Sequence, residues 1–125
     1  MKKFYLILLL LPVLTGCIKT LDAVPNTKVV YSYTGNLYTT YNVTYTDGSG
    51  APISLQFQGA SWSKTITTYP STAFKNASFT INTASPSPNV VGGVTISVND
   101  KVVINENNLT FGNTSNGYFY SAVVF

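Results

Sequence analysis

From residue 28 onward the chain is written in a period of two. Val29, Tyr31 and Tyr33 alternate with Val30, Ser32 and Thr34, and Tyr41, Val43 and Tyr45 alternate with Asn42, Thr44 and Thr46. Ile53, Leu55 and Phe57 alternate with Ser54, Gln56 and Gln58. The pattern returns at Trp62 and Ile66, at Ala77, Phe79 and Ile81, and at Val94, Ile96 and Val98. Such alternation puts one strand face in a core and the other in water, as antiparallel sheets commonly do. After the leader, no window carries a convincing 3.6-residue period.

Turn chemistry falls between these runs. Gly35-Asn36 predicts a break between the first two, and Asp47-Gly48-Ser49-Gly50 a hairpin between the second and third. Asn99-Asp100 predicts another hairpin with two registers open. A two-residue turn pairs Lys101 with Val98, whereas a three-residue loop lines up Val102 and Ile104 with Val98 and Ile96. Ser85-Pro86-Ser87-Pro88 reads as a loop, because proline cannot donate to a ladder. Residues 105–108 and 112–117 read as Asn- and Gly-containing connections, and 118–125 as a last strand. The expected fold is all-β, an immunoglobulin-like antiparallel β-sandwich of about seven to eight short strands occupying 28–125. A transmembrane barrel is the rival, because the chain closes on GYFYSAVVF. Runs such as 53–58 are short of the roughly 9–11 residues that a membrane strand needs.

The first sixteen residues follow a different rule. Lys2-Lys3 precede an apolar run from Phe4 to Val13, and the small residues Thr15-Gly16 precede Cys17. This is the layout of a secretory signal, and the run is short of the roughly 20 residues that span a bilayer. Leu14-Thr15-Gly16-Cys17 resembles the lipobox of bacterial lipoproteins. The resemblance implies diacylglyceryl transfer to the Cys17 sulfur, cleavage of 1–16 before it and acylation of the new amino group. Ile18, not aspartate, follows Cys17, which by analogy with enterobacterial sorting implies the outer membrane. Residues 17–27 then read as a tether, reaching roughly 30 Å when extended at about 3.3 Å per residue.

Composition narrows the chemistry. The formal charge of +3 is inflated by the leader: without Lys2 and Lys3, five lysines face four acids. No basic patch is visible, which argues against nucleic acid as a partner. With a single cysteine no disulfide forms within the chain, and with no histidine that cysteine lacks the usual base of a thiol nucleophile. Asp22, Asp47, Asp100 and Glu106 fall in the tether, two turns and an expected loop, so nothing brings two carboxylates to one cleft. The reading is therefore non-enzymatic, with no metal and no cofactor.

Four stretches together resemble MmpS-like (membrane protein small) domains: VVYSYTG at 29–35, YNVTYTDGSG at 41–50, WSKTIT at 62–67 and VTISVNDKVV at 94–103. The resemblance covers most of the chain from Val29 and implies a small immunoglobulin-like sandwich. Its actinobacterial members are accessory proteins of exporting transporters. The chain departs from them in its lipobox, in lacking cysteines after Cys17 and in Asn99-Asp100 at the last hairpin. The expected role is a membrane-anchored envelope lipoprotein serving as an interaction or accessory module, its partner another envelope protein. A surface glycan-binding module is the alternative, with Trp62, Tyr38 and Tyr69 as candidate binding residues. Trp62 also fits a core position, and Tyr38, Tyr69, Phe111 and Tyr118 break the inward pattern or lie near loops.

Overall fold

The computed structural model describes residues 26–69, 74–112 and 117–124. The leader, Cys17 and nearly all of the tether lie outside the described residues. Six antiparallel strands form: β1 (Thr27–Thr46), β2 (Pro52–Thr68), β3 (Asn76–Thr83), β4 (Val90–Val98), β5 (Lys101–Phe111) and β6 (Tyr118–Val123). They make one sheet in the order β5-β4-β1-β3-β6, with β2 hydrogen-bonded along the remaining edge of β1. The all-β, antiparallel expectation holds. The strand number is six rather than seven to eight, because two pairs of expected strands each merge into one long strand.

The merger happens at Gly35-Asn36. This dipeptide is a bend within β1, not a hairpin turn. The first arm of β1, residues 27–34, pairs with β4, and the second, residues 39–46, pairs with β3 on the same edge. Opposite the bend, Thr34 faces Ser61 and Thr39 faces Gly59, so residues 35–38 meet only Ala60 of β2. Extra residues on one strand bend it and raise its twist. The two arms fold face to face. The Tyr31 hydroxyl donates to the Thr46 carbonyl at 3.0 Å, and the Tyr33 hydroxyl donates to that of Tyr41 at 3.1 Å, their rings 4.8 Å apart. β2 follows the same bend, so the hairpin tip returns to its foot: Thr68 Oγ1 donates to the Gly48 carbonyl at 2.9 Å.

Folding the sheet back places its apolar row inside. Val29, Tyr31, Tyr33, Tyr41, Val43, Phe79, Ile81, Val94 and Ile96 are buried, together with Phe74 from the segment between β2 and β3. The outer face carries polar pairs such as Thr44 with Ser54 and Asn42 with Gln56. β5 and β6 meet at the far side. There the Tyr118 hydroxyl donates to the Thr110 carbonyl at 2.6 Å and accepts from its N–H at 3.1 Å, bringing the sheet close to a closed barrel.

Two readings of the sequence change in β5. Residues 105–108, expected as a connection, belong to the strand. They pass through an irregularity with Asn108 at φ 63°, beyond which Leu109 and Phe111 turn inward. At Asn99-Asp100 both residues have positive φ, 49° and 65°, which is the two-residue hairpin geometry. Lys101 pairs with Val98, and a bulge at Val103 then lets Ile104 pair with Ile96. One feature of each open register is thus realised. Lys28 and Asp100 form an exposed ion pair beside this turn, of a kind that contributes about 0–1 kcal/mol.

The bend depends on two glycines opposite each other, Gly35 in β1 and Gly92 in β4. The Tyr33 ring lies over both. A Cβ on Gly92 would sit 2.4 Å from Tyr33 Cε2, and one on Gly35 would sit 2.4 Å from the Tyr33 hydroxyl. Tyr33 is enclosed and cannot move aside, so Gly92→Ala is expected to destabilise the domain by about 1–3 kcal/mol, as overpacked cores do. Urea unfolding monitored by circular dichroism checks this: an unchanged midpoint would mean that the ring has room to shift.

Candidate functional site

Three places bear on a site: the aromatic core, the bend and the free side of β2. The core accounts for most of the aromatic residues that stood out in the sequence. Trp62 faces inward from β2 opposite Tyr33. Its ring stacks on Phe79 at 5.7 Å and on Phe57 at 6.1 Å and tilts against Tyr45 at 5.6 Å. It is half-buried, a wall of the core and not a free platform. Phe111, placed near a loop by the sequence, is only 2% exposed and packs edge-on against Tyr33, Tyr41 and Tyr118. Such pairs contribute about 0.5–1.5 kcal/mol each beyond the area they bury.

Tyr38 and Tyr69 remain outside, 71% and 58% exposed. They do not share a surface with each other or with Trp62. Tyr38 is in the bend, whereas Tyr69 follows Thr68, which pairs with Thr27 at the foot of the hairpin. Seven residues of β1 separate those levels, about 23 Å at roughly 3.3 Å per residue. The three candidate binding residues therefore do not assemble into one site.

The bend has a cleft of its own, about 260 Å³, between Leu37-Tyr38-Thr39 and residues 87–90. Asn36, just outside it, ties its two sides together. The Asn36 amide nitrogen donates to the Asn89 carbonyl at 3.1 Å, and its oxygen accepts from the Val91 N–H at 2.8 Å, an imitation of one more ladder pair between β1 and β4. Leu37 and Tyr38 are thereby presented outward beside Pro88. Sequence reasoning missed Leu37 and the contribution of 87–90. Only the Gly35-Asn36 punctuation hinted that the segment was special.

The acidic turn is self-contained. The Asp47 carboxylate accepts from the Ser49 hydroxyl at 2.7 Å, the Ser49 N–H at 2.9 Å and the Ala51 N–H at 3.0 Å. The Ser49 hydrogen bonds, chiefly, hold its carboxyl below the usual aspartate range. This is an Asx-type turn with its acceptor already occupied. Among the described residues no three His, Cys, Asp or Glu side chains gather as metal ligands.

The free side of β2 is the third place. β2 pairs with β1 alone among the described strands. Its inward positions Leu55, Phe57 and Trp62 are half-covered, and Ile53 and Lys64 are exposed. The core thus has an open seam along this strand.

No family model matches the chain, and no curated protein matches it.

The buried tyrosines give the domain a pH response. Burial, the dominant cause, lifts the Tyr31 and Tyr33 phenols well above the usual tyrosine value; for Tyr31 the hydrogen bond to Thr46 offsets part of the rise. In the unfolded chain both phenols ionise near about pH 10. In the folded chain they hold their protons beyond it, so their contribution to stability is complete below about pH 10 and declines as pH rises further. Melting temperatures are expected to fall steeply above that point, and less steeply in Tyr31→Phe, measured against its own midpoint at neutral pH. A Tyr31→Phe slope equal to that of wild type would contradict this assignment.

Proposed function

We propose that the chain is an envelope lipoprotein, attached to the membrane through acylated Cys17, whose β-domain is a non-catalytic interaction module. The single observation carrying the anchor is the order of Lys2-Lys3, an apolar run and Leu14-Thr15-Gly16-Cys17. One acyl chain gives only marginal binding, and two or three on one residue hold a protein at a membrane. The sheet begins at Thr27, ten residues after Cys17, which leaves a tether long enough to hold the domain clear of headgroups. The interaction role is supported by the surfaces presented: a strand with one edge unpaired among the described residues, an open apolar seam beside it, and exposed Leu37 and Tyr38. Outer-membrane residence follows from Ile18 after Cys17, and an immunoglobulin-like, MmpS-like accessory role is the finer form of the proposal. Cys17→Ala is expected to abolish membrane association and detergent partitioning, with the precursor left uncleaved or the product soluble. Metabolic labelling with a fatty acid reads this directly, and a labelled, membrane-bound Cys17→Ala protein would sink the proposal.

One observation favours a second reading, glycan binding. Tyr38 stands exposed over the cleft at 87–90, where Ser87 and Asn89 offer polar groups beside an aromatic face. On this reading Tyr38→Ala loses retention on a glycan array while keeping its melting temperature. No retention of the wild-type domain on any glycan removes this reading.

A further inference from the structure

We propose that two copies of the chain pair edge to edge through the first arm of β2, residues 52–58, in an antiparallel dimer centred on Leu55. This goes beyond the function proposed above and stands whether or not Cys17 carries lipid. Among the described residues β2 is hydrogen-bonded on one edge only. An unpaired edge presents a row of N–H and C=O groups, and another extended strand is what satisfies them in series. Natural edges are commonly blunted by charge, by proline or by a bulge. Pro52 opens the arm, but the stretch that would pair, residues 53–58, reads Ile-Ser-Leu-Gln-Phe-Gln, without charge or proline, and the irregularity of β2 comes only after it.

The arm is complementary to itself. A twofold axis through Leu55, normal to the sheet, sets Leu55 against its own copy. It also sets Ile53 of one copy against Phe57 of the other, and Ser54 against Gln56. Directly opposed residues of an antiparallel pair point to the same face. The inward row Ile53, Leu55, Phe57 therefore continues across the junction, and the polar row meets polar. That inward row still has area to cover, since Ile53 is 37% exposed and Leu55 and Phe57 are half-buried. Charge permits the same occupant. The arm has no charged side chain with which to hold an acidic or a basic partner strand. The second arm carries Lys64, which pairing centred there would set against its own copy. Each chain has one such arm, so the contact is isologous and closes at two.

The test uses the full chain in a neutral detergent and sedimentation over a wide concentration range. Ser54 and Gln56 are exposed and face away from the core, so both can carry charge without disturbing it, and circular dichroism verifies the fold of each variant. In the proposed register residues 54 and 56 face each other across the axis. The wild type is expected to pass from monomer to dimer. Ser54→Lys/Gln56→Lys is expected to weaken the dimer by about tenfold or more, because like charges then oppose each other twice. Ser54→Glu/Gln56→Lys is expected to associate at least as tightly as wild type, because opposite charges then meet. A wild type that stays monomeric throughout overturns the proposal. So does a dimer indifferent to the double lysine, equal loss in both double variants, or assembly that continues past two.

Discussion

The structure depends on the two arms of β1 closing against each other through Tyr31, Tyr33, Tyr41 and Tyr45. Every other strand is attached directly or at one remove to β1. If that strand were straight, the sheet would have one row of apolar side chains and nothing to cover it with. The bend turns one sheet into two facing layers, and the tyrosines fill the space between the layers while tying them together. Three of their hydroxyls are tied to other oxygens of β1: Tyr31 reaches Thr46 and Tyr33 reaches Tyr41 on the opposite arm, and Tyr41 in turn donates to the Leu37 carbonyl in the bend at 3.2 Å. Phenylalanine would fill the same volume but leave these groups without partners. That explains why the buried aromatic positions of β1 are tyrosines. Among the described residues no buried side-chain nitrogen or oxygen lacks a hydrogen bond.

Much of the fold was legible in the residues, because alternation is a local property. The inward rows at 29–33, 41–45, 77–81 and 94–98 stand where the period of two puts them. What was not legible depends on distant partners. Gly35-Asn36 serves equally well as a hairpin turn or as a bend, and the choice is made by β4 and β3 sharing one edge of β1. Similarly, the Asn-rich segment 105–108 looks like a loop, but β4 holds it in the sheet through an irregular register. Whether a strand lies at an edge cannot be read from its own alternation, so the open side of β2 was invisible before the strand order was known.

The candidate site was legible only in part, for a related reason. Aromatic side chains mark either a core or a contact surface, and their spacing within a strand does not distinguish the two. Trp62 and Phe111 went to the core because irregularities at 59–60 and 107–108 rephase their strands. Tyr38 stayed outside because it lies in the bend, where no alternation applies. What the domain offers to a partner is therefore mostly backbone and small apolar area along one strand, with a shallow aromatic cleft elsewhere.

The place of β1 in the order of synthesis has a consequence in time. The central strand comes first, and the strands that flank it come late: Val29 pairs with Val98, and Tyr41 with Thr83. The β1–β2 hairpin can form early, since its partners are near in sequence, but it cannot fold over on a filled core until β3, β4 and β5 have arrived. Closing such long loops before any contact rewards them slows folding. A chain emerging from its N-terminus must therefore wait, with the tyrosines of β1 uncovered, until nearly all of it is available. That interval, more than the finished fold, is when this molecule is most exposed to proteolysis and to mispairing of its unfinished strands.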